Sequence, residues 1–430
     1  MKILVLLSIA IVLLMVVSFA QEIRIKFWHS FSEKSPRGKA LQELVDNFNQ
    51  KKYQVDGKQI FVESVYKGGQ GRYSNPYNYL FSELLKANYE KNLPDVSIAY
   101  ENWVSQFEEI GIVRDFNSLN IPEIDEYINN LYPAFRNSST INGKVYSLSF
   151  NKSIFVFYYN SNFVDHIPTN YKEFILKLEE IKNKTNIPPL YLEPNEDTFI
   201  ILYLLAVSNE FFHIDQKIEP LFLGEKLDKV TELLKNLENK GLIKWTNNSY
   251  QDFIKNRAPI ILATTSRYTD LKSRSKDYHI SPLPADNGKI YAAGTNLVIF
   301  KSTPERELAA AKFIQFLLEK ENLEKFCIST GYILPTTNQG KTYLEFLNTH
   351  PDFKNVIEYS KDRLYVQQPI WAWENVRYFI SDYMLSVFIN KNPIHEQKKE
   401  LEQKVNQIMI NQNLKFLNRK ENNHERKYRK

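Results

Sequence analysis

Cysteine is almost missing from this chain. Cys327 is the only one among 430 residues, so no intrachain disulfide can form and no Cys-x-x-Cys pair exists. The seven histidines stand at 29, 166, 213, 279, 350, 395 and 424, each more than four residues from the next, which excludes His-Glu-x-x-His and any local metal-binding pair. Glycine is also scarce, at 13 residues. Gly68-Gly69-Gln70-Gly71 lies beside Lys67 and Arg72 but matches neither the Walker nor the dinucleotide fingerprint, and Gly-x-Ser-x-Gly is absent. That loop reads as a tight turn after a strand, with an anion nest as the alternative. No catalytic group, metal or cofactor is expected, and the chain reads as non-enzymatic. Paired carboxylates for glycoside hydrolysis can lie far apart in a sequence, so a secreted hydrolase stays as the competing class.

An excess of one charge is missing too, outside the very end. From Lys415 to Lys430 there are seven Lys or Arg against two Glu, a surplus that equals the net +5 of the whole chain. The remainder is near neutral, so no nucleic-acid partner is expected, and residues 415–430 read as a basic, disordered tail. What is present is ordinary for a globular protein: 43% hydrophobic and 24% charged residues, with a length suited to about two domains. The one long apolar run, Ile3 to Phe19, follows Met1-Lys2 and ends in Ser18-Phe19-Ala20. This is a signal-peptide pattern over residues 1–20, cut ahead of Gln21, with an uncleaved anchor as the alternative. Export to the periplasm or the extracellular space follows from it.

Ile23, Ile25 and Phe27 alternate with polar residues and predict a strand leading into Trp28-His29-Ser30. Ser35-Pro36 is a helix start, and Leu41, Leu44, Val45 and Phe48 recur at helical spacing. Strands at 60–66 and 95–100 around a helix at 77–90 complete a βαβαβ pattern, whose ligands bind beyond the carboxyl ends of the strands. Those ends are Trp28 to Ser30, Lys67 to Tyr73 and Glu101 to Trp103. The pattern restarts with an aromatic strand, Ser153 to Asn160, then strands at 259–264 and 295–300 and a helix from Thr303-Pro304 to Leu318.

Several motifs occur together in one order: Phe27-Trp28-His29-Ser30, Tyr66-Lys67-Gly68, Pro94-Asp95-Val96, Phe150-Asn151-Lys152-Ser153 running to Tyr158-Tyr159-Asn160, and Thr330-Gly331-Tyr332 before Pro335. In these the chain resembles the extracellular solute-binding proteins of ABC importers over roughly Glu22 to Gln407. The likeness is strongest to the branch that binds glycerol-3-phosphate. The resemblance implies an α/β fold of two lobes with a hinge, each lobe discontinuous: residues 22–136 plus 286–335, and 137–285 plus 336–414. It implies capture of glycerol-3-phosphate or a glycerophosphodiester between the lobes by a monomer, and delivery to a membrane permease.

The resemblance also implies the ligand-binding positions. Glu101 matches an acid that accepts from glycerol hydroxyls, Ser153 the hydroxyl of Phe-Asn-x-Ser, and Gly294 a glycine whose N–H approaches the ligand. Tyr332 matches an aromatic of Thr-Gly-Tyr, and Arg377 the basic residue facing phosphate. Thr265, with Ser266 beside it, stands where the family has Ser. The family's tyrosine after Tyr-Lys-Gly becomes Tyr73 or Tyr77. One arginine, several hydroxyls and a glutamate suit a phosphorylated polyol. Each position has a structural alternative: an ion pair for Arg377, a helix N-terminal carboxylate for Glu101, backbone satisfaction for Ser153 and Thr265, core packing for Tyr332, a turn for Gly294. Trp371-Ala372-Trp373 adds a second ligand class, since indole faces stack on sugar rings.

Overall fold

In the computed structural model the described residues are 22–69, 75–286 and 288–428. Strand β1 (Glu22–His29) buries Ile23, Ile25 and Phe27 and leaves Glu22 and Arg24 in water, as its alternation predicts. Ser35 then caps the helix Pro36–Gln50, its side chain accepting from the Gly38 N–H. That helix buries Leu41, Leu44, Val45 and Phe48. After β2 (Gln54–Val55), β3 (Lys58–Tyr66) and β4 (Val96–Ala99) lie on either side of β1, both parallel to it. The helix Pro76–Tyr89 connects β3 to β4.

A short hairpin, β5 (Thr140–Ile141) and β6 (Lys144–Val145), precedes the long strand β7 (Leu148–Asn160). Next come β8 (Leu190–Leu192), β9 (Phe212–Ile214), β10 (Ile218–Pro220), β11 (Ile243–Trp245), β12 (Ile260–Thr264), β13 (Tyr278–Ser281), β14 (Ile290–Ile299) and β15 (Leu364–Tyr365). β7 and β14 are longer than their sequence pattern suggests, and both enter the sheet antiparallel, so the sheet is mixed. Asn296 to Ile299 pair with β4, Ala292 to Leu297 pair with β7, and farther along β7, Phe155 to Tyr159 pair with β12. One path, β11-β8-β12-β7-β14-β4-β1-β3-β2, therefore crosses the whole molecule.

Two hydrophobic clusters pack around that path. Ile154, Val156 and Tyr158 of β7 belong to the first, with Phe27, Phe48 and Trp103; Phe155 and Phe157 belong to the second, with Phe199, Phe211 and Tyr383. The period of two along a strand sends alternate side chains into different cores. Among the described residues no helix is long and apolar enough to cross a membrane. The last helix, Ile394–Tyr428, stays helical through residues 415–428, where a disordered tail is expected. No glycine or proline follows Pro393 to interrupt it.

Candidate ligand site

β4 ends at Ala99, and Tyr100 turns directly into the helix Glu101–Glu109, which puts Glu101 in its first turn. From the middle of β7, Lys152 reaches Glu101 Oε1 at 2.6 Å and the Gly294 carbonyl at 3.2 Å, with no exposed side-chain surface of its own. Burial pulls the Lys152 ammonium below its ordinary pKa, and the Glu101 charge opposes that pull. Among the described residues no donor reaches Glu101 Oε2. Gly294 adopts φ +126°, and a Cβ there would sit 2.0 Å from Asn151 O. Only glycine lets β14 pass β7 this closely.

The opposite wall starts at Asn195, whose side chain accepts from the Thr198 N–H and caps the helix Glu196–Ala206. Glu196 Oε1 accepts from Arg377 Nε at 3.0 Å and Nη2 at 2.6 Å, and its other oxygen accepts from the Ser381 hydroxyl. Arg377 belongs to the helix Trp373–Phe388. In the first turn of that helix, Glu374 accepts from Asn102 Nδ2 at 2.7 Å and Trp103 Nε1 at 3.0 Å, tying it to the helix Glu101–Glu109. Between these walls lies a cavity of about 80 Å³, lined by the carboxyls of Glu101, Glu196 and Asp197, the rings of Tyr100 and Tyr291, Gly294 and Arg377. Asp197 is pushed up to about 7, first by burial and next by the Glu196 charge, against the pull of Arg377. Larger hollows of about 270 and 1180 Å³ touch none of the eight predicted positions that lie among the described residues.

The cavity brings together three predicted positions: Glu101, Gly294 and Arg377. Ser153 sits one residue away, opposite Ala293 in the β7–β14 register, with its hydroxyl 3.5 Å from the Ala293 carbonyl. Thr265 is fully buried and accepts from the Ile154 N–H at 3.4 Å, while Ser266 pairs with Thr264 at 2.8 Å. These hydroxyls satisfy neighbouring polar groups rather than line the cavity. Tyr77 stacks obliquely on Tyr100, with ring centroids 5.1 Å apart, and Tyr332 is 2% exposed under the Arg37 guanidinium. Tyr73 lies outside the described residues. Trp373 lines the cavity and packs edge-on to Phe211 and Phe212, so it is largely a core side chain; Trp371 is half-buried against the same cluster.

Sequence reasoning passed over Asp197, Glu196 and Lys152. Asn195-Glu196-Asp197 carries the signal of a capped helix with an acidic first turn, and Lys152 stands inside the Phe-Asn-Lys-Ser motif. Among the described residues no three His, Cys, Asp or Glu side chains converge to hold a metal.

The family described as bacterial extracellular solute-binding protein matches residues 72–354. This chain belongs to that family. No curated protein matches it in sequence. In structure it is similar to the cyclic alpha-maltosyl-1,6-maltose binding protein of Arthrobacter globiformis, with a TM-score of 0.76, 17% identity, and coverage of 91% of this chain and 100% of the other. The sugar-binding protein MalE of Xanthomonas citri gives 0.75, 17%, 92% and 99%. UgpB of Mycobacterium tuberculosis, solved with glycerophosphocholine, gives 0.75, 18%, 91% and 99%. These likenesses show the two-lobed fold of extracellular solute-binding proteins, whose members are binding components rather than enzymes.

Proposed function

We propose that this protein captures glycerol-3-phosphate or a related glycerophosphodiester outside the cytoplasmic membrane and delivers it to the permease of an ABC importer. The observation that carries this reading is the convergence of Glu101, Asp197, Tyr100 and Gly294 on one small cavity between the two long walls. Carboxylates and tyrosine hydroxyls are the partners that polyol hydroxyls need. The cavity, about 80 Å³, is below the ~300 Å³ at which ordinary ligand pockets begin, which suits a glycerol-sized group. In this reading the lobes are residues 22–136 plus 286–335 and 137–285 plus 336–414, joined where β7 and β14 run side by side. The mature chain starts at Gln21, and intact-mass analysis of exported protein checks that start.

A sugar is the second reading, favoured by the Trp373 indole at the cavity wall and by the sugar-binding neighbours. A thermal-shift panel of glycerol-3-phosphate, glycerophosphocholine, maltose and glycerol separates the two, since a ligand that binds the native state raises Tm by mass action. Stabilisation by maltose alone would replace the first reading with the second.

A further inference from the structure

The arginine expected to face a phosphate is already occupied. Arg377 gives two hydrogen bonds to Glu196, at 2.6 and 3.0 Å, so its charge is balanced within the protein. Two other arginines are not balanced in this way. Arg37, in the first turn of the helix Pro36–Gln50, lies over the Tyr332 ring at 5.8 Å. Arg267, in the turn that follows β12, lies over the Tyr250 ring at 4.7 Å. Among the described residues no carboxylate comes within 4.0 Å of either guanidinium.

Both arginines stand near one tyrosine, Tyr332. Gly331, just before Tyr332, holds φ +73°, and a Cβ there would meet Thr265 O at 2.6 Å and Tyr268 N at 3.4 Å. The Gly331-Tyr332 turn is therefore pressed against the turn that carries Arg267. Arg37 stands over the same ring. Burial, followed by the Arg37 charge, holds Arg267 below its ordinary pKa, while nearby tyrosines and Glu193 oppose this. Arg267 nonetheless keeps an exposed side chain, so an incoming solute can reach it.

A continuous aromatic wall connects this cationic end to the cavity. Tyr77 and Tyr100 have ring centroids 5.1 Å apart, and the Arg377 guanidinium lies 6.0 Å from Tyr100. The cavity thus presents carboxyls and hydroxyls, and past its tyrosines stand two like charges without a carboxylate at ion-pair distance among the described residues. Such a pair repels until an anion sits between its members, and guanidinium forks match phosphate or carboxylate oxygens.

We infer that Arg37 and Arg267 grip the anionic group of the captured solute from two sides, while the Glu101 and Asp197 end of the cleft takes its hydroxyls. Arg377 is then a positioning residue for Glu196. This rests on the reading of the cleft as the ligand site, and it assigns the anion to residues other than the family-matched arginine.

Calorimetry on the exported chain tests it with glycerol-3-phosphate, glucuronate, glycerol and maltose as probes. Wild type is expected to bind at least one anionic probe more tightly than glycerol and maltose, and added salt to weaken that binding. Arg37→Gln and Arg267→Gln should each weaken the anionic probe by about tenfold or more, with Tm unchanged. Arg37→Lys and Arg267→Lys should recover part of the loss. Arg377→Gln should lower Tm yet keep the preference for the anion over glycerol. Full anion affinity in the Arg37→Gln, Arg267→Gln double variant, or loss of the preference in Arg377→Gln alone, would overturn the inference. So would a wild type that prefers maltose, which leaves solute capture standing. A wild type that binds none of the four probes would remove both.

Discussion

Lys152 points its ammonium at Glu101 from inside the protein, 2.6 Å from Oε1 and with no exposed side-chain surface. Glu101 itself lines the cavity. A buried ion pair of this kind stabilises weakly as a whole, but removing one partner strands the other charge at a cost of about 3–5 kcal/mol. Lys152→Met should therefore lower unfolding free energy by roughly that amount, and adding Glu101→Gln should restore part of it. Urea denaturation of the two single variants and the double variant measures the coupling. Strictly additive losses would mean that the pair is not coupled.

Gly294→Ala should be far more damaging than its one added methyl group suggests. The methyl would meet Asn151 O at 2.0 Å, where two long strands are paired side by side, so neither backbone can yield alone. A loss above about 4 kcal/mol is expected, in the range reserved for named structural failures. Gly57→Ala is the control: its φ is +77° but nothing lies within 4 Å, so only the left-handed strain of about 1–2 kcal/mol applies. Equal losses at both sites would contradict the close-pairing argument.

Asp197 makes stability fall as pH rises. Its folded pKa of about 7 lies above the ordinary 3.8, so the native state holds this proton more tightly than the unfolded chain. The contribution is fully present below the unfolded value and lost as pH climbs through about 7. His29 acts in the opposite sense. Burial lowers it from 6.5 to about 4, so its contribution is present above the unfolded value and lost as pH falls toward about 4. Asp197→Asn should therefore gain Tm relative to wild type between about pH 4 and 7, a difference in which the His29 effect cancels. A flat difference would mean that Asp197 is ionised throughout.

Ligand binding should compact the protein. The proposed lobes meet where β7 of one pairs with β14 of the other, and their facing walls carry Glu101 on one side and Asp197 on the other, so a solute touching both favours the closed arrangement. The radius of gyration in solution scattering should fall on saturation with whichever probe raises Tm. An unchanged profile would remove hinge closure from the mechanism.

Much of the architecture can be read along the chain. Ser35-Pro36 before Leu41, Leu44, Val45 and Phe48, and Thr303-Pro304 before the helix ending at Leu318, are local signals, and the helices start and stop where those signals stand. β7 is less legible because it is buried on both faces: only Tyr159 of its 13 residues is even partly exposed, so no polar alternation marks where it begins. The candidate site divides in the same way. Glu101 stands at a strand-to-helix turn and could be singled out by position, whereas Asp197 gains its character only from burial beside Glu196.

The sequence by itself determined where many of the strands and helices begin and which charged side chains are available. These follow from periodicity, caps and covalent chemistry, all of which act within a few residues. Only the tertiary structure decided how those charges are distributed. Arg377 meets Glu196 across 181 residues of chain, and Lys152 meets Glu101 across 51, while Arg37 over Tyr332 and Arg267 over Tyr250 are left without an ion-paired carboxylate among the described residues. Ion pairing depends on distance in space and on the local exclusion of water, and neither is written in the order of the residues.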